Sequence, residues 1–431
     1  MNVSDSERVV SKLYSIGYEI SLTSEAADVI LFNTCSVREK AEQKVFRRIN
    51  EIQKLRAHKL PVFGVMGCVA QLEGESIFAK APSVKLVLGT RALDRLPRLL
   101  EQASNNEGPF IDLGERLNDE PENISPFARH SKHVAFLPII EGCNKFCTYC
   151  IVPYSRGRER SRPAVEIVSE VKRLLQGGFQ EIHLIGQNVN SYRPKTETGL
   201  ENFTGATPFS RLLRAVASTG MPRIKFTTSF PRDFHADIVS AIDENSNLCN
   251  WVHLPVQSGS DRVLGAMRRG HKISDYLKHV FAIKNARRRI SMTSDVIVGF
   301  PNETAEDFEQ TMRLVEQCQY DGLYIFKYSV RNGTPAAKFK DNVSPTKKTE
   351  RFLALERLQV GIQQKLFGDY IGTEVEVLAE GISARSVDDL TGHTTCHKVV
   401  NFRAHQGLLG KILKVRVTAA KTHGLYGEVI E

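Results

Sequence analysis

The sequence predicts an α/β chain in three parts. These are an N-terminal doubly wound parallel-sheet domain, a central partial (β/α)6 barrel, and a small antiparallel β-barrel at the C-terminus. Three observations predict it. Short apolar runs alternate with helix-period segments up to residue 103, and the alternation resumes on a larger scale from Val134. From about residue 367 the pattern changes to short, glycine-split strands.

In the N-terminal part (1–103) a helix runs to about Ile16, with Ser4 or Asp5 as its cap and Val9, Val10, Leu13 and Tyr14 on one face. Buried strands are expected at 28–33, 61–66 and 84–89, followed by helices over 38–55, from about 70 and from about 93. The chain opens directly on a helix, without the strand that should precede it in a βα unit. Cys35 follows the first strand and Cys68 the second, each just before a helix. Such turns lie together at the carboxyl edge of an open sheet, where ligands bind. Two readings stand: ligands of one site, or small buried thiols. Residues 104–132, with Pro109, Pro121 and Pro126, read as a linker.

In the central part (133–366) strands are expected at 134–140, 181–186, 223–229, 251–257, 293–299 and 322–328. Helices fall at about 164–176, 208–218, 233–244, 275–288 and 304–317, with a longer one over 346–366. Six βα units make a partial barrel whose active face is the carboxyl end of its strands. Polar groups recur there: Gln187 and Asn188, Ser229, Gln257 and Ser258, and the run from Asp295 through Val298 and Gly299. Any one of these is ordinary turn chemistry. Their recurrence suits a pocket for a nucleoside.

Just after the first barrel strand lie Cys143, Cys147 and Cys150, three of the eight cysteines within eight residues. Three thiolates hold three irons of a [4Fe–4S] cluster and leave the fourth open. Zinc is the competitor, but a structural zinc takes four ligands, and no Cys or His follows Cys150 before His183. Arg156, Arg158, Arg160 and Arg162 follow at once, either a solvated basic loop or binders of a carboxylate or phosphate backbone. His235, His253, His271, His279, Cys249, Cys318, Cys396 and Trp251 read as structural.

The formal charge of +9 suits a polyanionic partner. From Cys396 to Gly427 stand Lys398, Arg403, Lys411, Lys414, Arg416 and Lys421 with no acid, interleaved with His397, Phe402, His405, His423 and Tyr426. A basic, partly aromatic barrel face fits RNA; a merely solvated face is the alternative. No apolar run reaches the ~20 residues of a membrane span, and the polar start is not a signal peptide. Unpaired cysteines beside such a motif fit a reducing cytoplasm.

The cysteine spacing, with Tyr149 before its last member, resembles the radical S-adenosylmethionine (SAM) superfamily. The whole chain resembles its methylthiotransferases, on the runs at 33–41, 67–71, 186–192 and 253–260 and on the basic tail, which is similar to the TRAM domain. The run at 35–46 is most similar to the MiaB type, which acts on N-isopentenyl adenosine beside the tRNA anticodon. The resemblance implies that Cys143, Cys147 and Cys150 hold the cluster that binds SAM and yields a 5′-deoxyadenosyl radical. That radical removes hydrogen from C2 of the adenine. It implies SAM contacts from Tyr149 and the strand-end residues, and a second, auxiliary [4Fe–4S] cluster on Cys35 and Cys68 that supplies sulfur. RNA contacts fall to Arg156, Arg158, Arg160, Lys398, Arg403, Lys411, Lys414 and Arg416. An electron donor protein and a sulfur donor complete the partners. Related substrates are threonylcarbamoyl-adenosine tRNA and a ribosomal-protein aspartate; a non-catalytic, zinc-holding RNA-binding protein is the reading from another class.

Two departures accompany the resemblance. The family's auxiliary cluster takes three cysteines, and the first would lie two residues before Met1. The expectation is a native start upstream, or else intact SAM cleavage with impaired sulfur insertion. Phe230 stands where the MiaB type has His.

Overall fold

The computed structural model describes residues 1–34, 39–56, 60–105, 108–115 and 124–430. Its contacts divide the chain into two units. One is Met1–Ser131 with Glu141–Asn144 and Ile151–Glu159; the other is Lys132–Ile140, Lys145–Cys150 and Arg160–Glu431.

The N-terminal unit holds a parallel sheet in the order Val29–Thr34, Val62–Gly67, Val84–Leu88 and Phe110–Asp112. Alternate side chains face opposite sides of the sheet. Met66, Leu86 and Leu88 pack with Val9 of helix Asn2–Ser15 and with Leu96, Leu99 and Leu100. On the other side Phe63, Val65 and Val87 pack with Ile49, Ile52 and Ile77. This is the expected doubly wound layering. Two expectations fail. The first helix has Met1 at its N-cap with no side-chain cap; Ser4 is buried within it, and Asp5 bonds Arg156 instead. Part of the expected linker is structured: Phe110–Asp112 forms the fourth strand, and Arg95 bonds both oxygens of Asp112. Further on, Glu7 pairs with Arg129 at 3.1 Å.

In the second unit six parallel strands form two sets of three. They are Val134–Pro138, Glu181–Ile185 and Arg223–Phe226, then Trp251–His253, Ser291–Val298 and Gly322–Lys327. A bridge between Ile224 and Leu248 joins the sets. Helices Ala164–Gln176, Pro208–Ala217, Ile273–Lys284, Ala305–Cys318 and Pro345–Gly368 fall where the periodicity expects them. The third expected helix, 233–244, is shortened to Asp237–Glu244, with a 3-10 turn at Pro231–Asp233 before it. Cys249, Cys318 and Cys396 are buried, as read from sequence. Among the described residues no helix is long and apolar enough to cross a membrane.

Five strands, Glu374–Ile382, Asp389–Thr394, Val399–Arg403, Ile412–Lys421 and Gly424–Val429, close into the C-terminal barrel. It is pinned to the amino ends of the central strands. Lys398 donates to Asp321 at 2.6 Å and Ser291 at 2.7 Å, and His397 stacks on Trp251 with centroids 4.2 Å apart. Beside them the buried Glu181 pairs with Arg223 and Lys225 at 2.8 and 2.9 Å.

Burial, reinforced by the Lys225 charge, pushes the His397 imidazole down to about 2. An unfolded histidine takes up its proton near pH 6.5. The contribution of neutral His397 is therefore whole above pH 6.5 and is lost progressively as pH falls below it, by about 1.4 kcal/mol per unit. Between pH 6.5 and 5 a His397→Gln chain is expected to lose about 2 kcal/mol less stability than the parent. Urea midpoints at both pH values check this; equal losses refute it.

Candidate active site

The cysteine loop follows the first central strand. Gly142 has φ +76°, and a Cβ there would land on the carbonyl of Arg158, so only glycine fits. The Cys143 amide donates to Gly157 O at 3.1 Å and the Cys150 amide to Cys147 O at 3.0 Å. Thr148 is stitched in on three sides. Its amide donates to Met267 O, its hydroxyl donates to Ala266 O, and its carbonyl accepts from the Ala336 amide. Lys145 bonds Asp233, which also accepts from Ser191 at 2.7 Å. Cys143 and Cys147 are buried and Cys150 is half-buried. Among the described residues no three His, Cys, Asp or Glu side chains are gathered closely enough to hold a metal ion.

The strand-end residues fall into two groups. Tyr149 packs on Met267, Phe300 and Tyr328; burial, with the charges of Cys147, Cys150 and Asp295, raises its phenol well above the usual range. Asp295 lies 3.4 Å from His253, whose carbonyl accepts from the Ser229 amide. The Gln257 amide donates to Asp295 O at 2.8 Å, with Gln257 at φ +77°. Thr228, at φ +68°, is a second non-glycine residue in this strained region at the next strand end. The Ser229 hydroxyl and the Gln187 side-chain oxygen are buried without partners among the described residues. Asn188 is buried at the turn into Val189–Ser191. Orphaned polar atoms at such a face are the mark of a polar ligand site.

The second group turns inward. Ser258 is fully buried, with its hydroxyl accepting from the Ser260 amide. The Val298 side chain lies in the core. The Gly299 amide donates to Glu303 at 2.7 Å, and a Cβ there would strike the Lys348 stem. The Ser258 and Val298 side chains and the Gly299 amide therefore face inward.

One residue the sequence reading missed dominates the site. Arg269 is 5% exposed, its Nη1 lying 3.6 Å from Cys147 Sγ and 3.5 Å from the Tyr149 hydroxyl. Nη2 donates to Pro255 O at 2.7 Å, and the guanidinium sits 4.4 Å over the Phe230 ring. Among the described residues it has no carboxylate partner. A buried cation beside a thiol loop calls for anionic sulfur, and an iron–sulfur group held by thiolates meets that need. The fit lies in the chemistry of the donors, thiols beside a buried cation, and not in a gathered single-metal site.

Of the expected auxiliary set, Cys68 is buried at the end of strand Val62–Gly67; Cys35 lies outside the described residues. Arg156, expected on RNA, is instead buried and bonded to Asp5 and Asn2. Arg158 is exposed and Arg160 half-buried.

At the C-terminal barrel, Arg403, Lys411, Lys414 and Arg416 are exposed, but Lys398 is 3% exposed and pinned to Asp321. Lys398 therefore cannot reach RNA from this position. Phe402 is core, not a stacking surface. The acid-free run is also not an acid-free face. Sheet register sets Glu376 opposite Lys414, and Glu374 and Glu428 on either side of Arg416.

Known proteins resemble this chain from end to end. Residues 1–89 match an uncharacterized protein family (UPF0004), 137–315 the radical SAM superfamily and 368–430 the TRAM domain. The tRNA-2-methylthio-N(6)-dimethylallyladenosine synthase of Solibacter usitatus is 44% identical over 99% of this chain and 95% of its own. Its counterpart in Bacillus pumilus is 43% identical over 100% of this chain and 84% of its own. Among solved structures, the radical SAM methyltransferase TsrM from Kitasatospora setae matches with TM-score 0.56. At 13% identity over 78% of this chain and 74% of its own, it shares the fold alone.

Proposed function

We infer that this chain, which belongs to the family of tRNA-2-methylthio-N(6)-dimethylallyladenosine synthases, transfers a methylthio group to C2 of N(6)-isopentenyl adenosine beside the tRNA anticodon. The observation that carries the reading is the end-to-end match at 44% identity. The loop that carries Cys143, Cys147 and Cys150 within eight residues supports it. Those three thiolates would hold a [4Fe–4S] cluster, which supplies reductive cleavage of SAM when bound. Thr148 fixes the loop to the barrel through three backbone and side-chain bonds. Ser229 and Gln187 offer unpaired oxygens to a polar ligand, and Asp295 a carboxylate beside Tyr149. The half-buried Tyr149, packed on the Met267, Phe300 and Tyr328 cluster, gives that side of the loop an apolar wall.

A second cluster on Cys68 and Cys35 would supply the sulfur, refilled by a sulfur donor, and an electron donor protein would reduce the first. The exposed Arg158, Arg403, Lys411, Lys414 and Arg416 are the candidates for the tRNA backbone. The test is an anaerobic reaction with SAM, a low-potential reductant and isopentenylated tRNA. Deoxyadenosine together with the 2-methylthio nucleoside is expected. Product on threonylcarbamoylated tRNA but not on isopentenylated tRNA overturns the substrate assignment.

A further inference from the structure

We propose that Arg269 sets the reduction potential of the iron–sulfur group at Cys147. The inference rests on the functional reading above, in that Cys147 is taken as an iron ligand. Its grounds are geometric. The guanidinium is buried, with Nη1 3.6 Å from Cys147 Sγ, Nη2 on Pro255 O at 2.7 Å, and Nε without a partner among the described residues. Burying an unpaired cation is costly, and one carbonyl and one ring offset only part of that cost. The remaining compensation must come from negative charge on the sulfur side, where Nη1 points.

Phe230 holds this arrangement in place. Its ring carries Arg269 at 4.4 Å, with Lys145 and Arg232 each at 5.4 Å. Asn190 clamps its backbone by accepting from the Phe230 amide at 2.7 Å and donating to the Phe230 carbonyl at 2.9 Å. A phenyl ring gives the guanidinium a permanent negative face. A protonated imidazole at this position would instead repel three cations.

The redox step is the uptake of one electron from a low-potential one-electron donor, with no bond made or broken and no proton moved. Three thiolates and a [4Fe–4S] core carry one net negative charge when oxidised and two when reduced. A fixed positive charge and a hydrogen bond at one thiolate favour the more negative state and raise the potential. Arg269 thus makes the low-potential step easier.

The experiment compares parent, Arg269→Gln and Arg269→Lys, each reconstituted anaerobically, by redox titration of the reduced cluster's EPR signal without SAM. Iron per chain and SAM binding are measured in parallel. For Arg269→Gln the ratio of reduced to oxidised cluster at a fixed poise is expected to fall about tenfold, about 59 mV for one electron. Arg269→Lys should restore most of it, which a merely structural role would not produce. An Arg269→Gln midpoint equal to the parent's overturns the proposal. If that variant takes up no iron, Phe230→Leu keeps the charge and loosens its seat; a smaller shift in the same direction is expected, and no shift overturns the idea. Failure of tRNA thiomethylation with the potential shift intact would overturn only the sulfur-transfer part of that reading. A parent chain that takes up no iron overturns both.

Discussion

Cys147→Ala is expected to abolish reductive SAM cleavage, by at least about a thousandfold, or about 4 kcal/mol of barrier. Two effects coincide at this residue. The change removes one of three thiols in a loop already short of the four ligands a closed metal site needs. It also strips Arg269 of the sulfur its Nη1 faces, leaving a buried cation with a carbonyl, a phenol and a ring. Iron per chain should fall with activity. Cys249→Ala and Cys318→Ala are the controls, because both thiols are buried and neither belongs to the loop. Deoxyadenosine release under reducing conditions, measured beside iron content, decides it. Cleavage within tenfold of the parent in Cys147→Ala would remove this loop from the chemistry.

Local pattern made most of the scaffold legible. A strand buried on both faces, such as Val62–Gly67, is an apolar run bounded by Pro61 and Cys68, and an amphipathic helix such as Ala164–Gln176 shows its period of 3.6. The cysteine loop was legible for a different reason, since spacing along the chain is itself the signal for a ligand set. Partnership across the chain was not legible. Arg269 stands in the polar run Arg268-Arg269-Gly270-His271, and nothing local separates it from an exposed arginine. Its burial comes from Pro255, Phe230 and Cys147, at separations of 14 to 122 residues. Arg156 was lost in the same way, because its partner Asp5 lies 151 residues upstream. The short strand Phe110–Asp112 shows how a tertiary site overrides composition. Three residues flanked by Asn, Gly and Pro carry little signal, yet pairing with Val84–Leu88 completes the sheet. The basic tail misled because charge was counted along one segment while the barrel interleaves strands from both ends of its sequence.

That interleaving separates two lysines that look alike in the sequence, and their variants are expected to fail in opposite ways. Lys398 is held by Asp321 and Ser291 and lies 4.9 Å over the Tyr370 ring. Asp321 in turn accepts from the Met292 amide at 2.9 Å, so the pair ties the C-terminal barrel to the base of two central strands. Lys398→Ala leaves that carboxylate without its cation and is expected to cost about 3–5 kcal/mol of stability. The salt dependence of tRNA binding by the folded fraction should stay unchanged. Lys398→Met with Asp321→Asn removes both charges and should recover much of the loss, because the penalty comes from the stranded partner. Lys414 is exposed on strand Ile412–Lys421. Lys414→Ala should leave the unfolding free energy within about 0.5 kcal/mol of the parent and lower the slope of log K against log salt by about 1. Urea unfolding and tRNA titration across a salt series read both quantities on the same chains. A Lys398→Ala protein as stable as the parent but weakened on tRNA would return Lys398 to the RNA face and detach the barrel from its pin.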